Sequence, residues 1–499
     1  MRRIAALVVI AVVAVAAGRA SGASPPPVSS GDPLASCTAG SDFLGGGTNF
    51  PASEVEPFVA ADPKTPGRLV AVWQQDRWSN GAARGEVSAY STNGGASWNS
   101  VAVPFGACAD AQSPFTRVSD PWVTIGPDGI VYASAIALSK LYTGVVVAAS
   151  RDGGQTWSGA KTVIKQSTAH WLEDKDSITA DPKRPGTAYV VWNRDGPTPG
   201  APAKTFLSIT RNGGDTWSRP RVIVNPGDRG STIGNVIAVD HRHRALLDVF
   251  DLQAAKTVVK RHCTWRKLPH SKKKRRVCTT RRVIPPHAPL TNSVAVTRSR
   301  NGGKTWSAPK RIATEVAAGG AAPLRTGGAL PAVAVNPSSG RIYVAWADGR
   351  FTGGSGREIA VSASSDDGKK WSRPVRASSP AAIGAFDPAI AVGAGGTVAV
   401  TYDDLRTWDG TSTDHLPAEV WATVSHDRGA TFGGEQLLAG PFDLTTAPIS
   451  GDPGEGGAYF IGDYEGLTAT GTSFTAVYPT TTAAGLSNPT DLFATSFAP

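Results

Sequence analysis

Charged residues with the chemistry of a binding or catalytic site follow several short apolar runs of this 499-residue chain. Arginine guanidinium groups bind carboxylates through two parallel hydrogen bonds. Two carboxyl groups that flank a glycosidic bond can supply the acid and the base for its hydrolysis. The pattern therefore indicates either a site for an acidic ligand or structural ion pairs between neighbouring elements. The charged segments are Gln75–Trp78, Asn193–Asp195, Asp348–Arg350, Asp403–Arg406 and Gly462–Glu465.

A second set of charged residues stands ahead of apolar runs, at Glu54, Glu56, Arg117, Asp120, Asp387 and residues 170–176. Carboxylates such as Glu173, Asp174 and Asp176 are ligands that Ca²⁺ prefers. Their spacing matches no recognised calcium-binding loop. We therefore expect no cofactor, with a calcium ion as the alternative.

The elements that position these residues are predicted to be β-strands. Short runs of Val, Ile, Ala, Trp and Tyr are bounded by Gly, Pro, Asp and Asn, which is the pattern of strands joined by turns. The chain contains 56 Gly and 37 Pro. A phrase of apolar strand, turn and apolar strand recurs seven times, as in Pro57–Asp62 followed by Leu69–Trp73. The last and weakest copy is Ala458–Gly462 with Phe474–Tyr478.

An octapeptide of the form Ser/Thr-x-Asp/Asn-x-Gly-x-x-Trp/Phe occurs six times, mostly about 60 residues apart. Asn-Gly and Asp-Gly pairs favour tight hairpins, because both central residues of such turns have positive φ. The Asp or Asn side chain also accepts hydrogen bonds from nearby backbone N–H groups. The Asp or Asn residues are therefore expected to be structural: Asn93, Asp152, Asn212, Asn301, Asp366 and Asp427.

This octapeptide resembles the Asp box, or BNR repeat, of the sialidase superfamily. The resemblance implies an all-β fold, a sialidase-like β-propeller, and a unit of about 60 residues suits a blade of four short strands. Six boxes favour six blades, whereas the seven strand-turn-strand units favour seven, which we prefer. A strand from near Phe43–Phe50 is then expected to complete the last blade and to remove an exposed sheet edge.

The same resemblance implies roles for the charged residues. Sialidases use an arginine clamp for the substrate carboxylate, a tyrosine nucleophile paired with a glutamate, and an aspartate acid, all at the propeller end opposite the Asp boxes. The expected substrate-binding residues are Arg77, Arg350, Arg406 and Arg117. The expected catalytic residues are Tyr464, Glu173 and either Asp120 or Asp76. The Phe/Tyr-Arg-Ile-Pro signature of the family is absent.

We therefore expect a protein that acts on or binds glycans, as a sialidase-like exo-glycosidase. The alternative is a non-catalytic propeller that binds a glycan or a protein at the cell surface. In residues 1–23, Arg2 and Arg3 are followed by an apolar run and then by small residues, as in a secretory signal peptide. We expect a secreted monomer without a membrane anchor after cleavage. A Pro/Ser-rich linker (24–42) then precedes the propeller (43–499).

Export makes disulfides expected for the four cysteines. Three pairings are available, and free thiols are the alternative. Proximity in sequence favours Cys37–Cys108 and Cys263–Cys278. The second pair lies in an insertion, 256–285, of which residues 256–282 hold 12 Lys/Arg and no Asp/Glu.

Clustered positive charge of this kind attracts polyanions. We expect the basic insertion to bind acidic glycans, cell-envelope polymers or anionic lipid. A solvated loop without a partner is the alternative.

Overall fold

Antiparallel β-sheets make up nearly all of the computed structural model. It describes residues 27–499 apart from 42, 44–46, 66, 197–200, 228, 256–257, 268, 270–272, 284, 286–287, 320–321 and 452–456. The predicted signal peptide, residues 1–23, lies outside these residues. Within them, no helix is long and apolar enough to cross a membrane. The only helical segments in this part of the chain are the short 3₁₀ turns Ala394–Gly396, Leu444–Thr446 and Gly485–Ser487, besides a single 3₁₀ position at Phe43.

The strands are short, as expected from runs of apolar residues between turns. In chain order they are β1 (Glu54–Ala61), β2 (Leu69–Arg77), β3 (Ala83–Ser91), β4 (Asn99–Val103), β5 (Arg117–Ile125), β6 (Val131–Leu138), β7 (Tyr142–Ser150), β8 (Lys161–Ser167), β9 (Leu172–Ala180), β10 (Ala188–Asp195), β11 (Lys204–Thr210), β12 (Arg221–Val224), β13 (Ser231–Asp240), β14 (Ala245–Ala255), β15 (Val258–Lys267), β16 (Lys274–Val283), β17 (Leu290–Ser299), β18 (Lys310–Thr314), β19 (Ala332–Val335), β20 (Ile342–Asp348), β21 (Glu358–Ser364), β22 (Val375–Arg376), β23 (Phe386–Val392), β24 (Val398–Asp404), β25 (Pro417–Ser425), β26 (Gly433–Asp443), β27 (Ile449–Ser450), β28 (Ala458–Tyr459), β29 (Gly466–Thr470), β30 (Ser473–Thr481) and β31 (Thr490–Phe497).

Most strands belong to consecutive meanders, in which each strand pairs with the next. These are β1–β4, β5–β8, β9–β12, β13 with β14, β17 and β18, β19–β22, β23–β26 and β29–β31. One further pair, Ala83 with Val118, connects the first meander to the second. The remaining strands form two small ribbons, β15–β16 and β27–β28.

The first strands of the meanders contact one another in chain order and close a ring. β1 contacts β5, β5 contacts β9, and the series continues through β13, β19 and β23 to β29, which contacts β1. Strands that radiate from a closed ring of this kind define a propeller. The all-β propeller fold is therefore confirmed. Seven blades remain a prediction, which this order of contacts supports.

The core lies between neighbouring sheets. Second strands such as β2 are buried along their whole length, which explains their continuous apolar sequences. Trp73, Trp192 and Trp346 occupy the same place in β2, β10 and β20 and are completely buried. Each indole N–H donates to a polar side chain, as a buried tryptophan requires.

The six octapeptides form turns with one shared set of hydrogen bonds. At Ser150, the hydroxyl donates to Asp152 Oδ1 over 2.7 Å and accepts from Gly154 N over 2.8 Å. Thr156 N donates to Asp152 Oδ1 over 3.0 Å. The same three bonds occur in the other five turns. All six turns connect third to fourth strands and lie at one end of the sheets.

The last sheet differs from the prediction in two respects. Its first strand is β29, not Ala458–Gly462, because Ala458 and Tyr459 pair with β27 instead. Its outer strand β31 is joined by the N-terminal segment, where Val28 N donates to Leu492 O over 2.7 Å. The described residues at the end of the expected strand near Phe43–Phe50 instead lie beside the first sheet, where Phe50 N donates to Arg77 O and Thr48 O accepts from Ser79 N.

The segment 24–42 that was expected to be a linker contains core residues. Val28 and Leu34 are buried against Trp73 and Val477. Cys37 forms a disulfide with Cys108, and Cys263 forms one with Cys278. Both disulfides are confirmed. The first of them connects the N-terminal segment to the first sheet.

Candidate functional site

A β-bulge interrupts the first strand in five of the described sheets. Between Val55 and Phe58, for example, β1 has two residues where β2 has only one. The first residue of each bulge has a positive φ, which re-aims its side chain. The five residues are Glu56 (φ 53), Asp120 (φ 58), Lys175 (φ 45), Gly234 (φ 65) and Asp387 (φ 44).

The bulges bring charged side chains of β1, β5 and β9 together at the centre of the ring, where they meet Asp463 of the segment before β29. Lys175 Nζ lies 3.2 Å from Glu56 Oε1, 3.1 Å from Asp120 Oδ1 and 2.8 Å from Asp463 Oδ2. All four residues are buried. Asp463 also accepts a hydrogen bond of 2.7 Å from Arg325 Nη2.

Electrostatics divide this cluster into ionised and neutral groups. Burial raises the pKa of Asp120 and Asp463, but opposing charges and hydrogen bonds together lower both pKa values: Lys175 acts on Asp120, and Lys175 and Arg325 act on Asp463. For Glu56, burial outweighs the attraction of Lys175 and raises the pKa to about 8. The charges of Lys175 and Arg325 are therefore balanced by Asp120 and Asp463, whereas Glu56 is protonated at neutral pH.

Above the cluster lies a cavity of about 930 Å³. It is lined by the loops between second and third strands and by the segments that lead into first strands, such as Leu172–Lys175. In a four-stranded meander these loops lie at the end opposite the third-to-fourth turns. The cavity is therefore at the opposite end of the sheets from the octapeptides.

Three arginines line the cavity: Arg77, Arg325 and Arg357. Arg77 and Arg325 lie on the ring of Phe460, with their Cζ atoms 4.7 and 4.5 Å from its centroid. Arg77 is 3% exposed, donates to Gln74 Oε1 over 2.7 Å, and its buried Nε lacks a partner. Arg357 donates to Thr326 Oγ1. Neither Arg77 nor Arg357 forms an ion pair with a described carboxylate.

Two carboxyl groups on the cavity wall form a close pair, Asp251 within β14 and Glu315 after β18. The buried atoms Asp251 Oδ1 and Glu315 Oε1 have no N–H or O–H donor in the described structure. Burial and the neighbouring Asp251 raise the pKa of Glu315 to about 9. Burial raises the pKa of Asp251 to about 6. A proton shared by the two carboxyl groups satisfies both.

The structure brings three of the residues expected from the sequence to the cavity: Arg77, Asp120 and Glu173. Arg77 is the unpaired cation, and Asp120 lies at the cavity floor with Lys175. Glu173 accepts from Trp192 Nε1 over 2.6 Å and pairs with Arg194. Burial raises the pKa of Glu173.

Four other expected residues do not reach the cavity, because each is held by its own partner. Arg117 donates to Gly40 O and stacks over Trp78 at 4.1 Å. Asp76 pairs with Arg84 over 2.7 Å. The remaining two are arginines that fold back on the strand ends, Arg350 onto Asp348 and Arg406 onto Asp404 and Glu435. For Asp76, Arg350 and Arg406 the ion-pair alternative describes the structure.

Tyr464, the expected nucleophile, lines a separate cavity of about 70 Å³. Its hydroxyl donates to Pro121 O over 2.9 Å, and its ring centroid lies 5.2 Å from that of Trp122. Burial and nearby carboxyl groups, chiefly Glu56, raise the pKa of Tyr464 well above its usual value. This is opposite to the activation that a tyrosine nucleophile needs.

The sequence reasoning missed Lys175, Arg325, Arg357, Asp251 and Glu315 as residues of one site. One signal could have located the bulges. Glu56, Asp120 and Asp387 each precede a proline at the start of a predicted strand, and proline inside a sheet is confined to edges, strand starts and bulges. Arg325 and Glu315 had no such signal, because they lie in the long connection between β18 and β19.

No set of three or more His, Cys, Asp or Glu residues is arranged to hold a metal ion within the described ranges. The calcium site suggested by Glu173, Asp174 and Asp176 is therefore not formed there. Glu173 pairs with Arg194, and the positive charge of Lys175 acts on both Asp174 and Asp176. Burial raises the pKa of Asp174 to about 7.

The fold and the cavity define an all-β propeller with a charged cavity at one end. No protein-family model matches the chain, and no curated protein matches it. Its structure is similar to a Hadza microbial sialidase, with 17% identity, a TM-score of 0.42, and coverage of 87% of this chain and 74% of that chain. It is also similar to an α-L-arabinanase from Penicillium chrysogenum and an α-L-arabinofuranosidase from Fusarium graminearum.

For the arabinanase, the identity is 12% and the TM-score 0.44, over 92% of this chain and 95% of that chain. For the arabinofuranosidase, the identity is 15% and the TM-score 0.46, over 76% and 96%. The fold assignment rests on the strand contacts described above. These similarities carry no inference about a reaction.

Proposed function

We propose that this protein is an exported, glycan-acting propeller that takes an acidic sugar residue into the cavity. The observation that carries the proposal is the pair Arg77 and Arg357, two cations on the cavity wall without a described carboxylate partner. A ligand carboxylate would supply the missing partner. Disulfides are typical of exported proteins, and the two disulfides support export.

The size and polarity of the cavity support a sugar ligand. Its volume of about 930 Å³ lies in the range of small-molecule sites. Arg77 is desolvated, so an anion beside it interacts more strongly than it would in water. Because Asp120 and Asp463 already balance Lys175 and Arg325, they do not cancel the charge of Arg77.

Binding of uronic and sialic acids tests this proposal. Titrations with glucuronic acid, N-acetylneuraminic acid and neutral galactose are compared for the wild type, Arg357→Met and Arg350→Met. The affinity for acidic sugars should fall at least about tenfold in Arg357→Met, since a charged hydrogen bond contributes about 1.5–3 kcal/mol. Arg350→Met is the matched control, because Arg350 lies outside the cavity. Equal binding of galactose, or equal loss in both variants, would contradict the proposal.

Hydrolysis is a second candidate function, and the Asp251–Glu315 pair favours it. A carboxyl group with a raised pKa holds a proton at neutral pH, as a general acid must. In this scheme Glu315 protonates the leaving oxygen, the glycosidic C–O bond breaks, and water adds to the sugar carbon. A carboxylate elsewhere on the wall, such as Glu173, accepts the proton of that water.

A panel of fluorogenic glycosides, including a sialoside and a glucuronide, tests hydrolysis. If the pair acts as the acid, Glu315→Gln should lower kcat about a hundredfold or more. Tyr464→Phe is the informative comparison, because the resemblance assigns the chemistry to Tyr464. Loss of turnover in Tyr464→Phe but not in Glu315→Gln would reverse the assignment. Absence of turnover on every substrate would favour the non-catalytic propeller.

A further inference from the structure

The basic insertion is a β-ribbon that pairs only with itself. β15 and β16 form a two-stranded sheet, inserted between β14 and β17. Cys263 lies directly opposite Cys278, and the two form the disulfide. The ribbon contains no core of its own, because His262, Trp265 and the other described side chains of β15 are exposed or nearly so.

Like charges face each other across this ribbon. Arg266 is opposite Arg275, and Lys267 is opposite Lys274. Like charges placed directly opposite destabilise a strand pair. Elsewhere in the described chain several arginines, such as Arg194 and Arg406, are paired with carboxylates, whereas no ion pair is found for the described bases of β15 and β16. The ribbon therefore holds an uncompensated positive charge in a strained arrangement.

The basic side chains of the ribbon are spread along a line, as the binding of an extended ligand requires. Successive residues of a strand rise about 3.3 Å, so Lys260 to Lys267 span about 23 Å. Side chains alternate between the two faces, which places basic residues on both. The described bases on this stretch are exposed: Lys260, Arg261, Arg266, Lys267, Lys274, Arg275 and Arg276. A compact anion would contact few of them, whereas a polymer with regularly spaced anions contacts many.

We propose that the ribbon binds a linear polysaccharide that carries sulfate or carboxylate groups. Single-stranded nucleic acid is recognised by stacking on several aromatic side chains, and the ribbon exposes one, Trp265. A membrane-surface element needs one apolar face, whereas the described stretch Lys260–Lys267 has basic residues on both faces. An anionic polysaccharide requires only spaced cations. Its acidic groups pair with the basic side chains of the ribbon, and the counterions of both are released.

The position of the ribbon fits this ligand. It continues from β14 and β17, whose residues Asp251, Leu290 and Thr291 line the cavity. A polymer held by the ribbon is therefore close to the cavity rim. Binding at the ribbon does not require the cavity to bind a sugar, so this inference stands independently of the proposed function.

Two charge-matched variants test the inference. The first replaces Arg266, Lys267, Lys274 and Arg275 by Gln. The control replaces four exposed bases elsewhere by Gln: Lys161, Lys183, Arg219 and Lys304. Affinities for heparin and polygalacturonate are measured by calorimetry at low and at physiological salt. We expect a loss of about tenfold or more in the ribbon variant and of less than about twofold in the control.

Three outcomes would overturn the inference. Equal losses in the two variants would show that only net charge matters. Unchanged binding in the ribbon variant would place the polysaccharide elsewhere. Tighter binding of duplex DNA or of phosphatidylserine vesicles at the same salt would assign the ribbon to another class of partner. Thermal unfolding of both variants shows that the propeller is intact, and Arg357→Met should retain full heparin binding whatever its effect on acidic sugars.

Discussion

The two ends of the same sheets follow different rules. At the octapeptide end, six turns repeat three hydrogen bonds with the same atoms. At the cavity end, the residue at the bulge position varies among the five sheets that have a bulge: Glu56, Asp120, Lys175, Gly234 and Asp387. The repeats have similar backbones at both ends of the sheets. Their side chains differ at the cavity end.

This difference separates structure from function. A turn that must reverse the chain has one best solution, so repeats retain it. A bulge fixes only where the side chain points, so each repeat can contribute a different group. The cavity end therefore combines acids and bases that no single repeat contains.

The largest effect is expected for Lys175→Met. It leaves the ionised Asp120 and Asp463 without one of their cations in a buried site. Removing one partner of a buried ion pair costs about 3–5 kcal/mol in the free energy of unfolding. Urea denaturation measures the cost, and Lys161→Met, at an exposed position, is the control. A cost no larger than that of the control would show that the cluster is not a structural unit.

The pH dependence of stability should differ between the two ends. The pKa of Glu315 is raised to about 9 from an ordinary value of 4.5. Because the folded state holds a proton that the unfolded state loses, its contribution is complete below pH 4.5 and is lost as pH rises towards 9. The slope per group is at most about 1.4 kcal/mol per pH unit. In urea titrations at several pH values, Glu315→Gln should reduce this fall of the free energy of unfolding with rising pH. An unchanged pH dependence would contradict the shared proton.

The octapeptide end should behave in the opposite sense. Hydrogen bonds, chiefly from Thr156, outweigh desolvation and lower the pKa of Asp152 to about 2. Its contribution is complete above pH 3.8 and is lost as pH falls through 2. The Asp152→Asn variant should lose less of its free energy of unfolding as the pH falls. It should still fold, because three of the six turns carry Asn. An unchanged loss at low pH would show that other carboxylates cause it.

Removal of the shared turn bonds should have similar effects in different repeats. Asp152→Ala and Asn301→Ala each remove the acceptor of two shared turn bonds: Asp152 Oδ1 accepts from Ser150 Oγ and Thr156 N, and Asn301 Oδ1 accepts from Ser299 Oγ and Thr305 N. We expect about 1–2 kcal/mol for each, in line with lost hydrogen bonds of this kind. Thermal or urea unfolding measures both. Costs that differ severalfold would break the equivalence of the turns.

The smallest effect is expected at Arg428, where an octapeptide has a non-glycine residue with a φ of 64°. Four of the six turns have glycine there, as at Gly153. Arg428→Gly should raise the free energy of unfolding by up to about 1 kcal/mol, because it relieves a left-handed conformation. Arg428→Ala retains the strain and is the control. Equal stabilities would show that the side chain, not the backbone, sets the outcome.

The sequence alone predicted the strands and the six turns and favoured the two disulfide pairs that the structure contains, and its resemblance to Asp-box proteins implied the propeller class. The strands and turns follow from apolar runs and from residues that accept positive φ. The sequence also placed charged residues such as Arg77 and Asp120 at the correct end of the sheets. It mistook the partners of Arg350 and Arg406, which bind carboxylates of their own strand ends.

Only the tertiary structure decided which charges face one another. Lys175 meets Glu56, Asp120 and Asp463 because three sheets and a closing segment converge on one axis. Glu315 reaches Asp251 through the path of a long connection. A bulge turns one side chain to the other face of its strand, and local sequence does not specify where that side chain ends after the ring closes.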